Sequence, residues 1–120
     1  MDDEKINNNL IVKLSFEFAL QILKYTEVLE ERRKFVLSNQ LLKSGTSIGA
    51  NIWEAQNAEC KADFIHKMKI STKEGEETKY WLLLCKHSNQ YPNSDDLLEK
   101  LEILQKILNK IISTSKRVIS

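Results

Sequence analysis

Residues 61–87 read KADFIHKMKISTKEGEETKYWLLLCKH, and within them Phe64, Met68, Ser71, Gly75, Thr78, Leu82 and Cys85 follow one another at alternating steps of four and three. This is the spacing of one helix face, and its heptad order is that of a packing seam. Small residues occupy its middle, so a neighbouring helix must come close there. The spacing predicts a helix over about Lys61 to His87. Moving towards the N-terminus, Leu37, Leu41, Gly45, Ile48, Ile52 and Ala55 predict a second helix over about Phe35 to Ala58. Before the charged break Glu30-Glu31-Arg32-Arg33-Lys34, residues Ile11, Leu14, Phe18, Ile22, Tyr25 and Leu29 predict another over about Asn9 to Glu31. Moving towards the C-terminus, Ser88-Asn89-Gln90-Tyr91-Pro92-Asn93-Ser94 reads as a turn, with Ser94 as N-cap ahead of Asp95 and Asp96. The last helix then buries Leu97, Leu101, Leu104, Leu108, Ile111 and Ser115.

No stretch alternates as a strand does, so the expected architecture is an all-α, up-and-down antiparallel four-helix bundle. It forms one domain over residues 1–120, with an ordered core of about 9–118. All three glycines, Gly45, Gly49 and Gly75, lie inside helical stretches. A helix-interior glycine costs about 1 kcal/mol relative to alanine, so their use here implies close backbone approach. With 18 Lys+Arg against 17 Asp+Glu, the net charge of +1 excludes a strongly basic nucleic-acid coat. The acidic start Met1-Asp2-Asp3-Glu4 has no apolar run behind it to serve as signal peptide or membrane span, so cytoplasmic residence is expected. Cys60 and Cys85, with no CxxC pair, read as reduced thiols.

A lone bundle needs one apolar stripe per helix, and three of these helices carry more. The first adds Val12, Phe16, Leu20 and Leu23; the second Phe35, Leu42, Gly49 and Trp53; the third Ile70, Trp81 and Leu84. A wide stripe on a single helix fills a fat core, but the same excess on three points to contact between protomers. Phe16, Leu20, Leu23, Leu42, Gly49, Trp53, Ile70, Trp81 and Leu84 are therefore the candidate interface of a homo-oligomer.

Two motifs carry a resemblance. Ser47-Ile48-Gly49-Ala50-Asn51-Ile52-Trp53-Glu54 and Lys73-Glu74-Gly75-Glu76-Glu77-Thr78-Lys79-Tyr80-Trp81-Leu82 resemble the S-I-x-A-N-I-x-E and K-E-x-x-E-T-x-Y-W-L patterns of the bundle proteins first noticed as reading frames in intervening sequences of bacterial large-subunit ribosomal RNA. The resemblance covers about residues 10 to 118. It implies a helical bundle assembled as a ring-like homopentamer, without known catalysis. A related branch, the accessory variability proteins of diversity-generating retroelements, implies reverse transcriptase and template RNA as partners. Many of that branch are markedly basic, and this chain is not.

The motif polar residues are Asn51, Glu54, Lys73, Glu74 and Glu77, of which Asn51, Glu54, Glu74 and Glu77 point away from the core lines. Carboxylates on facing helices can share a cation or a proton, yet a structural polar network involving Lys73 or a neighbouring protomer explains them more simply. Asp63 and His66 have the spacing of a di-iron ligand pair, but a di-iron bundle needs two such pairs. No cofactor, metal, catalytic residue or small-molecule substrate is expected. Trp53, Tyr80 and Trp81 read as packing residues in preference to base-stacking ones. Basic residues gather at Arg32-Arg33-Lys34 and again, beyond Glu102, at Lys106, Lys110, Lys116 and Arg117, where no acid follows. Repeated round a ring, Lys106, Lys110, Lys116 and Arg117, with Arg32 and Arg33, would make a phosphate-binding rim. The expected function is thus a non-enzymatic oligomeric scaffold for a macromolecular partner, RNA or a reverse-transcriptase complex. The rivals are a protein-only adaptor and a carboxylate-metal enzyme using Glu54, Glu74 and Glu77.

Overall fold

The computed structural model describes residues 2–119; Met1 and Ser120, the two ends of the expected domain, lie outside the described residues. Five helices appear where four were expected: α1 (Asp2–Asn8), α2 (Leu10–Glu31), α3 (Phe35–Ala55), α4 (Lys61–His87) and α5 (Asp95–Ile119), with no strand among the described residues. The extra element, α1, buries no residue, so it leaves no periodic apolar signature. Asp2, Asp3 and Glu4 in its first turn complement the helix dipole.

Helix ends follow local chemistry. Asn9 is not the first residue of α2 but its N-cap, extended at φ −128°, with its side chain accepting from the Val12 N–H at 3.4 Å. At the other end Arg33 takes the left-handed conformation, φ 64°. Its N–H reaches the Glu30 carbonyl at 2.9 Å, and the Lys34 N–H reaches that of Leu29 at 2.8 Å. This is a Schellman closure with arginine where glycine usually sits. The second helix was expected to run to Ala58, but α3 stops at Ala55. Beyond it the Asn57 and Ala58 N–H groups bond to the Glu54 and Ala55 carbonyls, the tighter i→i+3 pattern. Ser94 stands directly before α5, yet its hydroxyl donates to the Leu82 carbonyl of α4 at 2.9 Å, while Asn93 Oδ1 accepts from the Asp95 N–H at 2.8 Å.

The long helices pack in a closed cycle, α2 on α3, α3 on α4, α4 on α5 and α5 back on α2. The diagonals stay apart, and α1 lies beside α2. Short connections at residues 32–34, 56–60 and 88–94 leave no length to return along a helix, so successive helices run antiparallel. The core at the centre of the cycle is aliphatic: Ile22, Leu29, Leu41, Ile48, Ile52, Met68, Leu82, Leu101, Leu104 and Leu108 are buried. Each contributes about 1.5–3 kcal/mol of burial. Three register details depart from expectation. Val12, placed on the outer stripe, is in the core; Ile112 is buried in place of Ile111; and Leu14, Leu37 and Phe64 are only half-buried.

The glycines mark close approach within the chain. A Cβ on Gly45 would stand 2.8 Å from Ile22 Cγ1, and one on Gly49 would stand 3.2 Å from the Ser15 carbonyl oxygen. Gly49, a candidate for contact between protomers, also packs α3 on α2 within its own chain. A Cβ on Gly75 would collide with the amide end of Gln105, which reaches from α5 and donates to the Thr72 carbonyl at 3.0 Å. The joint between α3 and α4 is held differently, by buried hydroxyls. Ser71 donates to the Ile48 carbonyl at 2.8 Å. The Thr78 hydroxyl lies 2.8 Å from the Glu74 carbonyl and 3.0 Å from the Ser44 hydroxyl.

Candidate functional site

Both outer flanks of α3 are apolar. On the α2 side, Phe16, Leu20 and Leu23 remain 42%, 45% and 43% exposed, on the side of α2 away from the bundle axis. Phe16 and Ala19 line a groove of about 260 Å³ with Gly49, Ala50 and Trp53 of α3. Leu42 and Trp53 are half-buried; α1 partly covers Trp53, placing the Lys5 ammonium 4.3 Å from its ring centre. On the α4 side, Trp81 and Leu84 border a groove of about 520 Å³ with Phe35, Val36 and Gln40. Val36 and Ile103 are further exposed apolar residues that the sequence reading did not place at an interface, and Tyr80, read as a packing residue, is 57% exposed. Their exposure follows from helix position alone, since none falls on a regular second stripe.

The motif carboxylates are dispersed along this surface. Glu54 pairs with Lys67 at 3.0 Å, not with Lys73. Asn51 Nδ2 donates to the Ser47 carbonyl at 2.8 Å. Glu77 accepts from Trp81 Nε1 at 3.2 Å. Burial first, and then the neighbouring Glu77, hold the Glu74 carboxyl above the ordinary carboxylate range, against the opposing pull of Lys43. Lys67, the partner of Glu54, lies seven residues from Glu74, about 10 Å along α4. Glu54, Glu74 and Glu77 are therefore not brought together, and no group of three His, Cys, Asp or Glu side chains clusters among the described residues.

The basic rim is also redistributed. Lys106, expected to meet no acid, stands 3.6 Å from Glu102 one turn back. Arg32 donates from Nη1 to the Gln90 carbonyl at 3.2 Å, and Lys34 lies over the Tyr91 ring, so this cluster fastens the turn before α5. Lys116 meets Lys69 of α4. That contact and the repulsion between the two like charges, with burial and then Lys73 adding less, push the pKa of Lys69 down. Lys69 belonged to no expected cluster, because only the α4–α5 packing brings it there. Beneath the same turn, Tyr25 donates to the Pro92 carbonyl at 2.7 Å. Burial raises the pKa of Tyr25 and of its neighbour Cys85, so both stay protonated.

The profile of the 23S rRNA-intervening sequence protein family matches residues 7–110. The chain belongs to that family. A solved structure of a protein of unknown function from the S23 ribosomal protein family of Bacteroides thetaiotaomicron is 39% identical. It superposes with a TM-score of 0.81, over 85% of this chain and 97% of that one. No curated protein matches the sequence. No helix of this family member, among the described residues, is long and apolar enough to cross a membrane.

Proposed function

We propose that this protein is a four-helix bundle that self-associates into a ring-like homopentamer and serves in the cytoplasm as a non-enzymatic scaffold for a macromolecule. The observation that carries the reading is the outward Phe16–Leu20–Leu23 stripe of α2 together with Ile70, Trp81 and Leu84 on α4. Two different apolar faces, one on each flank of α3, suit a head-to-tail contact, which closes into a ring when the rotation between copies divides a full turn. Light scattering should give a multiple of the 14.0 kDa chain mass, five-fold for a pentamer. A mass of one chain at micromolar concentration would overturn the reading.

RNA is the partner favoured by Lys110, Lys116 and Arg117, with Lys69 alongside; a reverse-transcriptase complex of the retroelement kind is the more specific form of that reading. Each phosphate neutralised adds about −0.7 to the slope of log affinity against log salt for a single strand. Titrating labelled RNA across a salt series, with the parent and with Lys110, Lys116 and Arg117 changed to glutamine, tests it. Equal binding by both proteins rejects the rim, and no binding by the parent at low salt favours the protein-only adaptor, which the near-neutral charge also suits.

A further inference from the structure

We propose that the two outer faces meet in one polarity only, Glu17 and Lys24 of α2 in one copy pairing with Lys73 and Glu77 of α4 in the next. This rests on the self-association proposed above, and adds to it which side chains set register and direction.

The contacts inside one chain fix the relative heights of the two faces. Gly49 lies against Ser15 and Ile48 bonds to Ser71, so Ser15 and Phe16 stand level with Ile70 and Ser71. Gly45 lies against Ile22 and Ser44 meets Thr78, so Ile22 and Leu23 stand level with Glu77 and Thr78. The stripe from Phe16 to Leu23 and the stripe from Ile70 to Glu77 therefore occupy one slab of the bundle. Copies related by rotation about an axis along the bundle bring these stripes together without sliding.

The charges then fall into order. Because helices alternate in direction, α2 and α4 run parallel. Along α2 the order is acid then base, Glu17 before Lys24; along α4 it is base then acid, Lys73 before Glu77. Glu17 comes two residues after Ser15, which sets it about 1.5 Å short of the height of Lys73. Lys24 comes two residues after Ile22, about 3 Å beyond the height of Glu77 and within reach of a lysine side chain. All four side chains are exposed. Among the described residues, no salt bridge within the chain engages Glu17, Lys24 or Lys73, while Glu77 is steadied by Trp81. Docking α2 on α4 in the opposite direction would set Glu17 against Glu77 and Lys24 against Lys73, and like charges so placed oppose association.

A symmetric dimer of two antiparallel α2 faces would also match Glu17 with Lys24. It would leave Ile70, Trp81 and Leu84 in water, whereas the α2-to-α4 contact repeated round a ring covers both faces. The two arrangements separate cleanly by exchange of charge. The double variant Glu17→Lys, Lys24→Glu keeps an α2–α2 contact complementary but breaks the α2–α4 one. Analytical ultracentrifugation should show it dissociating to single chains at concentrations about tenfold or more above the parent. Adding Lys73→Glu and Glu77→Lys should restore the parent mass, and that rescue excludes misfolding as the cause. Unchanged assembly of the α2 double variant, or failure of the fourfold variant to recover while still melting like the parent, overturns the pairing. A monomeric parent overturns the self-association itself.

Discussion

The helix α3 is held on its two sides by opposite means. Towards α2 it presents Gly45 and Gly49, so that Ile22 and the Ser15 backbone press on its own backbone. Towards α4 it presents Ser44 and the Ile48 carbonyl, which engage Thr78 and Ser71 through buried hydrogen bonds. The first joint tolerates no added volume, and the second tolerates no unpaired polar atom. Sequence spacing treats both as the same small-residue stripe, and only the chemistry of each residue separates them.

The largest effect expected from this contrast is at the glycines. Gly45→Leu and Gly49→Leu should each cost about 1–3 kcal/mol or more, because a packed isoleucine and a backbone carbonyl must yield. Gly75→Leu should cost less, since the amide end of Gln105 can swing away at the loss of its bond to Thr72. Thermal melting that ranks Gly75→Leu worst would break the comparison. On the hydroxyl side, Thr78→Val should cost about 1 kcal/mol by leaving Ser44 without its partner. The double variant with Ser44→Ala should cost less than the sum of the single changes, and additivity in that cycle would remove the hydrogen bond from the account.

Smaller effects test the edges of the two joints. Arg33→Gly should raise stability by about 0.5–1 kcal/mol, since arginine pays for a left-handed backbone that glycine adopts freely. A lower melting temperature would mean that the arginine side chain contributes more than the strain costs. The smallest effect concerns Glu74. Its carboxyl is raised in the folded state, so the folded chain holds that proton more tightly than the unfolded one. Its contribution to stability grows as pH falls through the raised value towards the ordinary carboxylate range, and is lost as pH climbs back through it. Glu74→Gln should flatten that part of the pH–stability curve and be slightly more stable than the parent at neutral pH. An identical curve for parent and variant would remove Glu74 from the pH response.

The long helices were legible because their apolar positions recur at three and four over more than five turns, enough to outweigh glycine and serine within the stripes. The helix α1 was not, because Ile6 is its sole large apolar residue and a single residue has no period. Val12 was placed on the wrong side because it sits at the border of the core face, where a small rotation of the helix decides burial. Ser94 was legible as a position but not as a bond, since its hydroxyl serves the Leu82 carbonyl of a helix that only folding brings near. The neighbours of Lys106 and Lys116 were missed for similar reasons. Lys106 has Glu102 one turn behind it, and Lys69 joins Lys116 only across the α4–α5 joint.

Each outer face of the bundle carries one indole, and their surroundings differ. Trp53 lies beneath the Lys5 ammonium, whereas Trp81 meets the edge of the Tyr80 ring at 5.2 Å and donates to Glu77. With Trp53→Phe and Trp81→Phe variants, the protein thus holds two separate optical reporters. Ultraviolet emission from one reads the α2 flank, and emission from the other reads the α4 flank. A head-to-tail ring shifts both towards the blue over the same dilution range, whereas a symmetric pair built on one flank leaves the other indole as it was.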